Sequence, residues 1–292
     1  MNYVSAMFTE RPYVVLLIIA FWIVAPAERG YLRAGVWFVL GTFVGWAVEA
    51  SSIRTGFPFG MYIYHADRFQ DEFWIAGVPL FASLSFTCLT YFGFSLALTC
   101  LSPLERTSRG IQRVESRETA LSLKLTLVAT LLVTWMDIVV DPVTHLGDYW
   151  ALGSLYHYDP PGMHFDVPLS NYAGWAFTGF TSVGLNQLVD RWTIPAGTRP
   201  KGAYRLPHQP MWSLMSDSAV YVFMLSTTLY LMGNPDLPEG TPIQGILLSG
   251  CFFTACYVTF LTVMLRRGFA RTAQPLDSPA TEAPAQSTES YG

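Results

Sequence analysis

Residues 119–141 read TALSLKLTLVATLLVTWMDIVVD. One cation, Lys124, lies near the start of this run and two acids, Asp137 and Asp141, close it. The apolar stretch between approaches the roughly 17–25 residues that carry a helix across a bilayer core. Comparable runs stand at about 12–27, 34–50, 77–102, 171–190, 217–234 and 242–266, the first two being the shortest. The chain therefore reads as an all-α integral membrane protein with about seven transmembrane helices. Composition agrees: of 292 residues, 51% are hydrophobic and 13% charged, where soluble domains carry about a quarter charged.

Charge placement orients the bundle. Fourteen of the 17 Lys and Arg residues fall in alternate connections or past the last run: Arg29 and Arg33; Arg106, Arg109, Arg113, Arg117 and Lys124; Arg191, Arg199, Lys201 and Arg205; Arg266, Arg267 and Arg271. Arg11, Arg54 and Arg68 stand elsewhere. By the positive-inside rule the N-terminus is outside and the C-terminus cytoplasmic. No run is followed by a small-residue cleavage site, so no removable signal peptide is expected. A net charge of −4 gives no reason to expect nucleic acid.

Residues 1–271 read as one polytopic membrane domain and 272–292, rich in Pro, Ala, Ser, Thr and Glu, as a disordered tail. The segment RTSRGIQRVESRE, 106–118, reads as a solvated cytoplasmic loop near anionic headgroups. Cys88, Cys100, Cys251 and Cys256 all fall inside predicted helices, as small apolar residues, with no disulfide framework or metal spacing.

Two outward connections resemble each other: SSIRTGFPFGMYIYHADRFQDEFWIAGVPL at 51–80 and PVTHLGDYWALGSLYHYDPPGMHFDVPLSNYAGW at 142–175. Each follows an acid on the preceding helix (Glu49; Asp137 or Asp141). Each passes a glycine (Gly56 or Gly60; Gly147), reaches a Tyr-x-Tyr pair (Tyr62 and Tyr64; Tyr156 and Tyr158) and ends in Val-Pro-Leu. The units, about 45–85 and 134–175, leave and re-enter the membrane in the same sense, as a parallel repeat does when it places a site at its interface.

Acids at membrane depth cost about 2.5–3.5 kcal/mol and tend to face the protein interior. Thr126, Thr130, Thr134, Asp137 and Asp141 follow at helical steps of three and four, on one face. In the blander reading the threonines bond back to their own helix and Asp141 merely ends it before Pro142. A carboxyl withdrawn from water favours its neutral form, more so beside a second carboxyl. Such a group can protonate a substrate that has no basic atom. Aromatic faces stabilise the resulting cation by about 0.5–2 kcal/mol each, and Tyr62, Tyr64, Trp74, Trp150, Tyr156, Tyr158, Tyr172 and Trp175 are placed to line such a site.

The order of acid, Gly, Tyr-x-Tyr and Gly-Val-Pro-Leu (77–80), then the acidic helix end, a Trp-bearing loop and Val-Pro-Leu-Ser-Asn-Tyr-x-Gly-Trp (167–175), resembles the membrane carotenoid biosynthesis family. That family includes carotenoid 1,2-hydratases and the bacterioruberin-pathway hydratase. The resemblance covers about residues 34–265. It implies a multi-pass enzyme of a prokaryotic inner membrane that adds water across the terminal double bond of an acyclic carotenoid: protonation gives a tertiary cation and water captures it. The implied partners are a long acyclic carotenoid, water, membrane lipid and other enzymes of the pathway; no cofactor or metal is implied. By resemblance Glu49 and Asp137 are candidate proton donors, Asp141 a water-orienting base and Asn171 a polar contact to water or the new hydroxyl. The candidate substrate-binding set is Tyr62, Tyr64, Trp150, Tyr156, Tyr158, Asn171 and Trp175. The chain departs from the family pattern in the insertion HYDPPGMHF (157–165), in Asp166 where glycine is expected, and in Phe86 where tryptophan is more usual.

Other readings meet specific obstacles. A retinal protein needs a lysine in its last helix, and the two lysines are Lys124 and Lys201. A di-iron hydroxylase needs clustered histidines, whereas His65, His145, His157, His164 and His208 are scattered in loops. DIVVD at 137–141 is half of a prenyltransferase's diphosphate signature. A carotenoid end-group cyclase, which also starts by protonation but excludes water, and a proton-coupled lipid transporter remain the alternatives.

Overall fold

The structure, a computed structural model, describes residues 3–68, 71–108, 110–149, 153–193 and 207–272. Trp150, Arg109, Arg199, Lys201, Arg205 and the tail beyond Thr272 lie outside these. The helices are α1 (Tyr3–Glu10), α2 (Pro12–Arg29), α3 (Tyr31–Thr55), α4 (Leu80–Leu101), the short α5 (Arg117–Ala120), α6 (Leu123–Thr144), α7 (Leu169–Thr193), α8 (Gln209–Leu231) and α9 (Ile243–Thr272). Short strands lie in the connections: β1 (Tyr62–Tyr64), β2 (Trp74–Ile75), β3 (Val78–Pro79), β4 (Leu104–Thr107), β5 (Gly110–Arg113) and β6 (Tyr156–Tyr158).

Six of the described helices, α2, α3, α4, α6, α8 and α9, are long and apolar enough to cross a membrane. The seventh expected span is helical as α7 but too polar to meet the same criterion. It buries Asn171, Ser182, Asn186, Gln187 and Asp190. These groups are satisfied inside the bundle: Thr126 donates to Gln187 at 2.7 Å, Gln187 to the Ala120 carbonyl at 3.1 Å, and Asp190 pairs with Arg33. Phe177, Phe180 and Leu188 of α7 remain exposed. The shortest predicted runs grow on folding, since Pro12 opens α2 and Gly30, at φ 81°, passes the chain straight into α3.

Helix α4 is the axis of the bundle. It is apolar around its whole circumference, as a fully enclosed helix must be, and most of its residues are buried. Thr87, Thr90 and Thr99 return their hydroxyls to carbonyls one turn back, which removes the cost of burying them. Tyr91 and Phe94 of α4 interlock with Phe21 of α2 and Trp37 of α3, with centroids 4.7–6.1 Å apart. The outward faces of the other helices expose Leu16, Ile19, Val39, Leu131, Val222, Leu248 and Phe252, the surface a hydrocarbon solvent favours.

The segment 106–118 corrects the expectation of a solvated loop. It carries β4 and β5, paired antiparallel, and drives Arg113 and Glu115 into the core. Arg113 meets Glu115 at 2.6 Å, Glu28 at 3.2 Å and the Ser95 carbonyl at 2.9 Å, and Arg29 approaches Glu115 at 3.3 Å. Four charges of alternating sign thus join α2, α4 and the hairpin. A guanidinium suits this, because its five donors can be shared among several acceptors.

Candidate active site

The two similar connections, 51–80 and 142–175, meet strand to strand. β1 pairs antiparallel with β6, so that Tyr62 faces Tyr158, Ile63 faces His157 and Tyr64 faces Tyr156. Alternation along a strand sends all four tyrosines to one side. There they pack ring against ring: Tyr62 lies 5.3 Å from Tyr64, 5.4 Å from Tyr156 and 5.9 Å from Tyr158. Burial holds all four phenols well above their usual range, so each remains a hydrogen-bond donor.

These hydroxyls reach down to the acids. Tyr64 donates to Glu49 Oε2 at 2.7 Å. Tyr156 donates to Asp141 Oδ1 and Tyr158 to Asp141 Oδ2, the latter at 3.1 Å. From α7, Asn171 places its amide nitrogen 2.6 Å from Asp137 Oδ2 and 2.8 Å from Asp141 Oδ2, one hydrogen for each. Glu49, Asp137, Asp141 and Asn171 are at most 3% exposed. The structure thus brings Asp137, Asp141 and Asn171 together and leaves Glu49 at the other end of the tyrosine cluster. Asp141 does not end its helix, because α6 continues through Pro142 to Thr144. Of the threonine stripe, Thr134 bonds back to the Thr130 carbonyl, while Thr126 turns to α7.

Trp175 forms the apolar floor. It stacks on Phe86 at 4.3 Å and meets Phe59 edge-on, within a cluster that includes Val44, Val48 and Val167. Trp74 packs edge-on against Tyr64. Tyr172 bonds to His164, whose other nitrogen reaches Ser249 on α9 at 3.1 Å. Trp150 lies outside the described residues.

Three site neighbours escaped the sequence reading as neighbours of the acids. Thr144 lies 3.1 Å from Asp141 Oδ1, and His145 stacks on Tyr158 at 5.3 Å and stands edge-on to Tyr156. They follow Asp141 by three and four positions, the helical spacing that returns to the same face. His164 carries no comparable signal, since only the fold brings it to Tyr172.

The sequence model of the carotenoid biosynthesis proteins matches residues 10–238. The chain belongs to the carotenoid biosynthesis protein family. Within curated proteins it resembles a bisanhydrobacterioruberin hydratase from Haloarcula japonica, 28% identical over 151 residues, which are 52% of this chain and 44% of that relative. The chain therefore matches less than half of that relative's length. No solved structure matches this member of the carotenoid biosynthesis family.

Proposed function

We propose that the protein hydrates the terminal carbon–carbon double bond of an acyclic carotenoid, working at the outer face of a seven-helix bundle whose C-terminus is cytoplasmic. The observation that carries this reading is the pair of buried carboxyls on α6, Asp137 and Asp141, tied to one amide of Asn171 beneath four tyrosines.

The hydrogen bonds divide the roles. Tyr156, Tyr158, Asn171 and Thr144 all direct donors at the two oxygens of Asp141, which suits an acceptor. Asp137 meets Asn171 and keeps an oxygen from which to give a proton. Glu49 also keeps one oxygen, since Tyr64 meets the other, but Asp137 shares Asn171 with Asp141 and is favoured as donor for that reason. Its proton goes to the less substituted alkene carbon, and the tertiary cation forms under the tyrosine faces, where cation–π attraction favours it. Water then forms the carbon–oxygen bond with Asp141 as orienting base. The family membership and the hydratase relative support the substrate class.

A cyclase shares the first step and differs in excluding water, so product mass separates the two. The test is pigment analysis by liquid chromatography and mass spectrometry in a lycopene-producing bacterial host. A derivative heavier by one water per reacted end, lost in Asp137→Asn at equal protein level, supports the proposal. An isomer of unchanged mass favours cyclisation, and unaltered pigment directs the test to a different acyclic carotenoid or to transport.

A further inference from the structure

Asp166 stands directly before Val167-Pro168, where the other Val-Pro-Leu segment of this chain has Gly77. Phe165 and Asp166 both have positive φ, 53° and 68°, in a two-residue turn closed by the reciprocal bonds of His164 and Val167 at 3.1 Å. The corresponding turn before the other Val-Pro-Leu is Ala76–Gly77, at 50° and 82°. L-residues pay for this conformation, and aspartate pays more than glycine. An outlier retained at a cost points to a use for the side chain.

Asp166 lines a cavity of about 260 Å³ at the outer end of α6, together with Pro142, His145, Phe165, Thr241 and Ile246. A space of this size has room for several waters. Pro142 is the residue after Asp141. His145 lies between this cavity and the tyrosines, its ring against Tyr158 and Tyr156, and its Nε2 is buried without a hydrogen-bond partner. A buried imidazole nitrogen of this kind is completed by water.

We infer that this cavity is the water inlet of the proposed reaction, with Asp166 holding water at its mouth and His145 positioning the water that captures the cation. The inference rests on the hydratase reading. Capture forms one carbon–oxygen bond and leaves a surplus proton on the new oxonium oxygen. The His145 imidazole takes that proton and returns it to the aspartate pair, so each turnover consumes one alkene and one water and no net proton. Burial lowers the basicity of His145 against the opposing pull of Asp141 and Asp166, with His157 and His65 adding to the lowering, so the ring is neutral and able to accept at neutral pH.

The test uses membranes containing the full chain, with lycopene as substrate, and compares wild type, Asp166→Gly and His145→Ala. Glycine suits the turn at 166, so Asp166→Gly keeps or raises the unfolding temperature while product formation falls about tenfold or more. His145→Ala falls by about a hundredfold, within the range of lost general acid–base assistance, and added imidazole restores part of the rate, which a packing defect would not show. Wild-type rate in Asp166→Gly, or a His145→Ala deficit that imidazole leaves in place, overturns the assignment. A wild-type protein that yields no product heavier by one water overturns the hydratase reading itself and this inference with it.

Discussion

Tyr64 and Tyr156 face each other across the β1–β6 pair, and each donates its phenol hydrogen to a carboxyl fifteen positions earlier in its own segment, Glu49 and Asp141 respectively. A strand pairing of three residues a side is weak in isolation. Here it is held from below by two hydrogen bonds to buried acids, and in turn fixes where those acids' partners stand.

Replacing either tyrosine with phenylalanine keeps the ring and removes the donor. Tyr64→Phe leaves Glu49 short of the donor it has in the native fold, at a cost of about 1–3 kcal/mol. Thermal unfolding of the purified protein in detergent reads this loss. The double variant Tyr64→Phe with Glu49→Leu should recover part of it, since no unsatisfied carboxyl then remains.

The two proposed donors are separated by rate. Asp137→Asn should lower product formation by about 10²-fold or more, the share of a general acid. Glu49→Gln, which acts through Tyr64 at the other end of the cluster, should cost less. Initial rates at matched protein level decide, and a larger loss for Glu49→Gln would reverse the assignment.

Gly174 on α7 lies against Phe59, where an added Cβ would sit 2.3 Å from the ring and 2.9 Å from the Phe59 Cα. Phe59 is pinned on both sides, its amide donating to Ser52 and its carbonyl accepting from Ser170. Gly174→Ala should therefore destabilise by about 1–3 kcal/mol through overpacking, measured as a lowered unfolding temperature.

At the opposite end, Arg113→Met leaves Glu28 and Glu115 without their shared arginine, and breaking a buried pair this way costs about 3–5 kcal/mol. Burial alone would raise the Glu115 carboxyl, but Arg29 and Arg113 hold it below its ordinary value. A depressed folded value means the pair contributes fully above the ordinary glutamate value of about 4.3 and is lost as pH falls through the lower folded value. Stability of Glu115→Gln should accordingly vary less with pH below about 4.3 than that of the native chain.

The helices were legible because their apolar runs are long and their ends are marked, by Pro12 before α2 and by Val-Pro-Leu before α4 and α7. Glu49, Asp137 and Asp141 were legible as acids in apolar surroundings, and Asn171 was singled out only through the resemblance carried by Val-Pro-Leu-Ser-Asn. The hairpin at 104–113 was not: Arg113 and Glu115 look like solvated loop charges until the fold places Glu28 and Arg29 beside them. Nor were the partners of α7's polar residues: Gln187 and Asp190 are tolerated through Ala120 and Arg33 on other segments, while Asn186 bonds back to the Ser182 carbonyl of its own helix. Pairings between distant segments carry no local periodicity, and this is why such contacts escaped the reading.

Asp137 and Asp141 lie in the last two turns of α6, whereas at the far end of the bundle the buried carboxyls of Glu28 and Glu115 are bound to arginine. On the proposed reaction, the chemistry is then confined to one leaflet. A linear substrate with two like termini must dissociate, reverse end for end and rebind before its second terminus can react. Such a catalyst is distributive: singly modified molecules precede doubly modified ones, and their ratio at early times records release against recapture.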